Sequence, residues 1–456
     1  MTSEFSVDGS HVVVVGAARS GVAAAELLAR RGARVTVSEL RESIDDLEQF
    51  RRAGVSLELG GHRPETFASA DLIVLSPGVS PRMPVIDRAR RNGIPTISEI
   101  ELAARWLQGR VVAVTGTKGK STTTMLTGRM LEADGRWALV GGNIGTALSS
   151  QVDKSAPDAI HVVEVSSFQL ELTETFRPWI AVFLNLSADH LDRHGSFQEY
   201  ADAKARIFSN QLTSDAMVIN ADDPEVLELA RRGRARRLLF SARSSMSDGV
   251  VVTDDAIVRR SAVGEHSLLP LSAVQMPGQH LLSDVLAAAA VGTIVGVSPD
   301  AMERAVTSFE GLPHTLERVC EVAGVAFVND SKATNVMAAR ASIESFQSGL
   351  VVIMGGRYKG GALDSLAPAL EGRADAVVTI GEARERIENA LGSVVTVRAA
   401  STLGEAVRTA FSLAQPGGTV LLAPACASWD MFEDYAERGD TFKEAVAALV
   451  DEITER

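Results

Sequence analysis

Val111 to Val114, small or β-favouring apolar residues, run through Thr115 straight into Gly116-Thr117-Lys118-Gly119-Lys120-Ser121-Thr122, and the residues after them, through Met130 and Leu131, carry an apolar helical face. Strand, glycine turn and helix in that order point backbone N–H groups and the positive end of a helix at one concavity. Lys120 adds a cation and Ser121 a hydroxyl of the kind that meets a magnesium ion, so the predicted guest is a nucleoside triphosphate. The leading glycine of the common form of this loop would fall at Val114; here it is Gly116, and the loop is a shortened variant. An ordinary tight turn is the alternative, but it leaves unexplained why Gly-Lys-Ser coincides with the strand-to-helix switch.

The chain has 456 residues, too many for one typical core, and the prior of about 150 residues per domain suggests three domains. Its 46% hydrophobic and 23% charged residues are those of a soluble globular protein. A net charge of −13 argues against a nucleic-acid partner, and no basic patch with interleaved aromatics offsets it. Met1 to Asp8 lack the basic start and apolar core of a targeting segment, and the longest apolar run, Val285 to Val297, is short of a membrane span. A cytoplasmic location and no membrane partner are expected. Cys320 and Cys426 stand too far apart in sequence for a disulfide framework or a metal cluster, and each is expected to be a small core residue.

In chain order, His11 to Val15 reads as a strand entering the turn Gly16-Ala-Ala-Arg-Ser-Gly21, followed by a helix over Val22 to Arg31 and a strand over Arg34 to Ser38. The middle glycine of a dinucleotide fingerprint is Ala18 here, while Glu39 sits where an acidic residue would meet a ribose. This first unit either binds a nucleotide diphosphate moiety or is a structural βαβ. A strand over Asp71 to Leu75 ends in Ser76-Pro-Gly78, a second glycine turn at a carboxyl end, where open α/β sheets place ligands. Ser98 to Leu107 reads as a helix closing this unit. Beyond the phosphate loop, Ala159 to Val165 is a buried strand holding one acid, Glu164. A lone acid there needs a partner, which is either magnesium beside a triphosphate or a salt bridge. Ile180 to Asn185 releases a polar loop carrying Asp189, His190, Asp192, Arg193 and His194, suited to metal ligation, to substrate contact or to plain solvation. Ala235 to Ser272 suggests peripheral strands, and Met276 to His280 leads into a helix over Leu281 to Val291. Strands at Val325–Val328, Leu350–Met354, Ala376–Ile380 and Thr419–Leu422 alternate with helices, which argues a parallel sheet. Polar residues cluster where these strands stop: Lys332, then Gly355 to Lys359, then Ala425 to Ser428.

Gly116 to Thr122, Ser76-Pro-Gly78, Gly141-Gly-Asn143-Ile-Gly145, Glu164 to Glu171, Asp189-His-Leu-Asp192, Asp330-Ser-Lys-Ala-Thr-Asn335 and Pro424 to Ser428 together resemble the Mur ligases of peptidoglycan synthesis over nearly the whole chain. The resemblance implies an α/β protein of three domains. These are a Rossmann-like UDP-binding domain over 1–109, a central P-loop ATPase-like parallel-sheet domain over 110–311, and a Rossmann-like glutamate-binding domain over 312–456 that closes over the nucleotide. It implies ATP-dependent joining of D-glutamate to UDP-N-acetylmuramoyl-L-alanine through an acyl phosphate, by a monomer. Gly116, Thr117, Lys118, Gly119, Lys120, Ser121 and Thr122 would hold ATP. Ser121 and Glu164 would share one magnesium ion, His190 and Lys204 a second, with Lys204 carbamylated. Asn143 and Ser166 would touch the muramoyl part, and Arg19, Ser20, Glu39, Leu40, Arg41 and Gly78 would line the UDP site. Asp330 would meet the ATP ribose, and Lys332, Thr334, Lys359, Ser428 and Tyr435 would surround glutamate. For Lys204 the helical period gives its own support, since Tyr200, Lys204 and Phe208 share one stripe. Without the resemblance, a lysine snorkelling to solvent or pairing with Asp202 or Glu199 is the plainer reading.

The chain departs from the family at a few points. His280-Leu281-Leu-Ser-Asp284 stands where His-Asn-x-x-Asn is usual, and Thr315 where an arginine follows Leu-Pro-His. Both lie in the nucleotide region, and Arg318 is the substitute arginine the sequence offers. Lys118 replaces an asparagine, and Trp429 and Tyr435 replace other apolar residues. Two rivals remain. Folylpolyglutamate synthase is a similar ligase, but it lacks a leading glycine-turn domain. A catalytically silent partner subunit would have lost Lys120, Glu164, His190 and Lys204, all of which are present.

Overall fold

Short valine-rich segments alternating with helices assemble into three sheets in a computed structural model that describes residues 5–44, 47–243, 246–274 and 279–454. The chain to Phe309, Gln279 excepted, makes one compact unit and the chain from Glu310 the other.

The first sheet of the first unit comprises β1 His11–Val15, β2 Arg34–Ser38, β3 Ser56–Glu58, β4 Leu72–Leu75 and β5 Thr96–Ser98, in the order β3-β2-β1-β4-β5 with every pairing parallel. Val12 to Val15 are wholly buried, as a central strand covered on both faces requires. The strand order reverses between β1 and β4, so Gly16 and the Ser76 turn flank the crevice where such sheets take ligands. The helix after β1 is Arg19–Arg30, starting one turn earlier than its apolar pattern suggests.

The second sheet holds β6 Arg110–Thr115, β7 Ala138–Gly142, β8 Ile160–Glu164, β9 Ile180–Phe183, β10 Ala216–Asn220, β11 Arg236–Ser241, β12 Gly249–Val252, β13 Ala256–Ser261 and β14 Gly264–Pro270. Its order is β14-β13-β12-β11-β10-β9-β6-β8-β7. Pairing is parallel from β7 to β12 and antiparallel through β13 and β14, the peripheral strands expected between Ala235 and Ser272. The helix Glu99–Ala104 joins the two sheets, and Glu101 on it is fully buried yet satisfied. Its carboxylate accepts the amides of Glu174, Thr175 and Phe176 at 2.8–3.0 Å and the Arg105 guanidinium at 2.9 Å.

The second unit contains β15 Glu317–Val322, β16 Val325–Asn329, β17 Leu350–Gly355, β18 Ala374–Ile380, β19 Thr396–Ala399 and β20 Thr419–Leu422, ordered β15-β16-β20-β17-β18-β19. Only the edge strand β15 is antiparallel, a hairpin with β16 that a strand-helix alternation does not foretell. Cys426 is a buried core residue as expected, whereas Cys320 lies half-buried on that edge. Among the described residues no helix is long and apolar enough to cross a membrane. Met276 to Gly278 lie outside the described residues, and the following helix spans Gln279–Val295.

Candidate functional site

β6 ends at Thr115, and the helix Lys120–Ala133 begins five residues on; Gly116 (φ 154°) and Gly119 (φ 80°) occupy backbone that side chains disfavour. Space enforces the same choice. A Cβ at Gly116 would sit 3.0 Å from Leu184 Cβ, and one at Gly119 would sit 2.1 Å from Asp284 Oδ1. Asn185 laces the loop from below: its side-chain oxygen accepts the amides of Thr117 (3.1 Å) and Lys118 (2.8 Å), and its amide donates to the Lys118 carbonyl (3.1 Å). The Thr117 hydroxyl meets the Tyr200 hydroxyl at 3.1 Å, and Lys204 Nζ donates to the Gly116 carbonyl at 2.7 Å. Lys120 Nζ donates to the Thr117 carbonyl at 2.8 Å, lying back over the loop.

Glu164, the single acid of β8, is nearly buried. No salt bridge takes it among the described residues: the Ser121 hydroxyl donates to one carboxylate oxygen at 2.6 Å and the Asn143 amide to the other at 2.9 Å. Lys118, Lys120, Ser121, Glu164, Asn143, Asn185 and Lys204 thus gather at the carboxyl ends of β6, β8 and β9. Lys204 is 2% exposed, on the helix Phe197–Ala205 with its Nζ 4.8 Å from the Tyr200 ring centre. Burial, reinforced by the charge of Lys120, pushes its ammonium well below the ordinary lysine value, against the pull of Asp189 and Glu164. The salt-bridge alternatives are excluded, because Asp202 pairs with Arg232 and Glu199 with Arg82.

The polar loop after β9 is a short helix, Leu191–His194, not an open loop. His190 precedes it, exposed and at φ 52°, with Nε2 3.7 Å from Asp189. His194 is buried against Phe168 and Tyr200, shares a hydrogen bond with Ser167 at 2.9 Å, and burial lowers it to about 4. Arg193 stacks on Phe168 and donates to the carbonyls of Pro77, Gly78 and Val79, fixing the glycine turn of β4. The side chains of Asp192 and His280 lie outside the described residues. Ser166 caps its own helix in a reciprocal pair with Gln169.

At the first sheet, the Glu39 carboxylate accepts the Ala17 amide at 2.7 Å and the Arg41 amide at 3.1 Å. Burial raises this acid, but Arg41 and those amides outweigh it and hold the group below its usual value. Arg19 donates to the Gly145 carbonyl at 2.9 Å, Ser20 is half-buried beside it, and Leu40 is 61% exposed.

In the second unit the neighbouring strands β16, β20 and β17 release Asp330–Asn335, Ala423–Ser428 and Gly356–Lys359 at one edge. Backbone bonds tie these segments together, Arg357 with Ala427 in both directions and Ala425 to Ala333. Lys332 and Thr334 are half-buried, Ser428 is buried, and Tyr435 is exposed. Lys359 is exposed with its Nζ 5.5 Å from the Trp429 ring centre. Asp330 turns inward, accepting the Leu316 amide at 3.2 Å and the Ser342 hydroxyl, and burial raises it to about 6. Arg318 pairs with Glu321 on the exposed side of β15.

Three family models match the chain in order: the Mur ligase MurD-like N-terminal domain over residues 10–98, the Mur ligase middle domain over 114–292 and the Mur ligase glutamate ligase domain over 314–426. A UDP-N-acetylmuramoylalanine--D-glutamate ligase of Acidobacterium capsulatum is 46% identical, with 96% of each chain covered. The chain belongs to the Mur ligases. A ligase of the same name from Koribacter versatilis is 43% identical, covering 98% of this chain and 99% of that one. Among solved structures, UDP-N-acetylmuramate-alanine ligase of Thermotoga maritima shares the fold at a TM-score of 0.61 and 20% identity, over 96% of this chain and 99% of that one. A pseudomurein peptide ligase of Methanothermus fervidus does so at 0.60 and 20%, over 97% and 100%.

Within this Mur ligase, sequence reading passed over three residues that shape the sites. Asn185 was taken only as a strand end. Arg193 reads only as one more polar residue of a loop suited to metal ligation, substrate contact or solvation. Arg438, with no exposed surface, donates to Ser331 Oγ (2.9 Å) and to the carbonyls of Ser331 (2.8 Å) and Cys426 (3.2 Å), and burial among these neutral acceptors lowers its guanidinium to about 10. A buried arginine inside a helix pattern carries no periodic signal; the only cue was a charge on an otherwise apolar stripe.

Proposed function

We propose that this chain joins D-glutamate to UDP-N-acetylmuramoyl-L-alanine, splitting ATP to ADP and phosphate, in the cytoplasmic synthesis of peptidoglycan precursors. Near-full-length similarity to ligases of that name carries the reading. The chemistry explains the residues. A carboxylate is a poor electrophile until phosphorylated, so the enzyme must first steer a phosphoryl group onto it and then admit an amine. Both steps are governed by positioning and charge stabilisation. Gly116 to Thr122 present backbone amides and Lys120 to the polyphosphate. Arg19, Ser20, Glu39, Leu40, Arg41 and Gly78 form the UDP subsite, and Asn143 and Ser166 the muramoyl subsite. Lys332, Thr334, Lys359, Ser428 and Tyr435 bind glutamate, and Asp330 the ATP ribose. Residues 1–109, 110–311 and 312–456 are the corresponding domains, and the enzyme works as a monomer.

The donors around Ser121 suit magnesium. A hydroxyl and a carboxylate already 2.6 Å apart are the hard oxygen ligands this ion takes alongside phosphate oxygens and water. Among the described residues no three His, Cys, Asp or Glu side chains converge on one point, in keeping with an ion that borrows most of its shell from the nucleotide. When bound, magnesium neutralises phosphate charge. His190 and a carbamylated Lys204 would hold a second ion.

The deciding assay is phosphate release from ATP, expected only when both UDP-N-acetylmuramoyl-L-alanine and D-glutamate are present. Release that ignores either substrate overturns the assignment. Lys359→Ala is expected to raise the KM for glutamate by about tenfold to a hundredfold, the loss of one charge-assisted hydrogen bond of about 1.5–3 kcal/mol, while the KM for ATP holds. Equal rises in both constants would show that Lys359 does not read glutamate.

A further inference from the structure

Asp284 is a carboxyl group in a place that does not suit a carboxylate. It lies in the second turn of the helix Gln279–Val295, 5% exposed, and packs directly on Gly119, so closely that a Cβ there would fall 2.1 Å from Oδ1 and 3.0 Å from Oδ2. Gly119 is the residue from which the phosphate loop enters its helix. Around Asp284 the helix is apolar, with Val285 to Val291 at 1% exposure or less. Among the described residues, the Thr123 hydroxyl and the charge of Lys120 on the loop helix favour ionisation, and burial opposes it and prevails, raising the acid well above the ordinary aspartate value.

We propose that Asp284 serves this ligase as a neutral carboxylic acid under the phosphate loop, so that nucleotide binding requires its proton. The proposal rests on the reading of the loop as the ATP site. A neutral carboxyl has the shape of an amide and keeps one O–H donor, and it can lie under a loop that must hold a polyanion. Ionised, the same group would put a buried negative charge directly against Gly119, beneath the loop into which phosphates are drawn. Linkage then fixes the sign. Adding a polyphosphate favours the protonated form, so affinity holds at low pH and falls as pH rises through the raised value, by about tenfold per pH unit at most. Asp284 is a positioning residue and takes no part in the chemistry.

Infrared difference spectra between the full-length wild type and Asp284→Asn are expected to show the band of a protonated carboxyl at neutral pH. Calorimetric titration with ADP should then give a wild-type affinity that declines over the pH interval in which the band fades, while Asp284→Asn stays level over that interval. Asp284→Asn is also expected to melt higher than wild type at neutral pH. The unfolded chain ionises from about pH 4 upward and so binds fewer protons than the folded wild type, which costs wild-type stability as pH rises. Absence of the band, or an ADP profile of the variant that parallels wild type, overturns the proposal. Failure of both proteins to bind ADP at any pH, with the band present, overturns instead the nucleotide reading of the loop.

Discussion

Lys120→Ala is expected to lower kcat by about a hundredfold to a thousandfold with the fold intact, the scale set by removing one preorganised donor from developing charge, roughly 3–4 kcal/mol. The ammonium lies over the loop with its proton on the Thr117 carbonyl, 2.8 Å away, a contact it can exchange for a phosphate oxygen without moving the backbone. Since the loop itself is held by Asn185, Tyr200 and Lys204, truncation at Lys120 leaves those bonds standing. Melting temperature should therefore change little while single-turnover acyl transfer collapses. Lys120→Arg is expected to restore only a part, because a planar fork cannot replace a compact point charge in so tight a turn. Turnover near normal in Lys120→Ala would remove the loop from the mechanism.

The phosphate loop was legible because its signal is local. A strand, two glycines and a helix start sit within a few residues, and each has a steric reason that the coordinates repeat, Gly116 against Leu184 and Gly119 against Asp284. Glu164 was legible for a similar reason, since a lone acid in an apolar strand demands an explanation. Its neighbours were not legible from the strand itself: Ser121, which the resemblance alone sets beside it, and Asn143 arrive from 43 and 21 residues away. Distance in sequence is also what hid Arg193, whose reach to the turn after β4 spans 114 to 116 residues. Periodicity likewise cannot announce an antiparallel edge such as β15, because a half-buried hairpin strand of mixed polarity resembles the loop that might replace it. What a pattern does record is which face a residue shares: Tyr200 and Lys204 share one stripe and both are buried, although without the resemblance a snorkelling or salt-bridged lysine is the plainer reading of Lys204.

That buried stripe leads to the second large effect. Lys204→Ala is expected to reduce turnover by about a hundredfold or more, and Lys204→Glu to recover part of it, because the carbamate proposed for this side chain is an anion. The amine is enclosed, donates one proton to the Gly116 carbonyl at 2.7 Å, and is driven toward neutrality by burial and by the charge of Lys120. A neutral amine adds carbon dioxide: its lone pair forms the N–C bond, one C=O bond opens, and one proton leaves to water. The product keeps one N–H, which is all that Gly116 asks for, and gains two oxygens of the hardness that magnesium prefers. The sign of the side chain is reversed without a new residue. The pH dependence follows from the depressed ammonium: the neutral amine is available across the range above its folded value and is lost to protonation as pH falls through that value, so carbamylation should weaken on acidification. Depleting bicarbonate should slow the wild type reversibly and leave Lys204→Glu indifferent. Isotopically labelled bicarbonate should give a carbamate carbon resonance in the wild type that Lys204→Ala lacks. A wild type insensitive to bicarbonate, with native mass showing the plain amine, would return Lys204 to a structural role: a buried donor that closes the carbonyl of Gly116 and holds the phosphate loop on its helix.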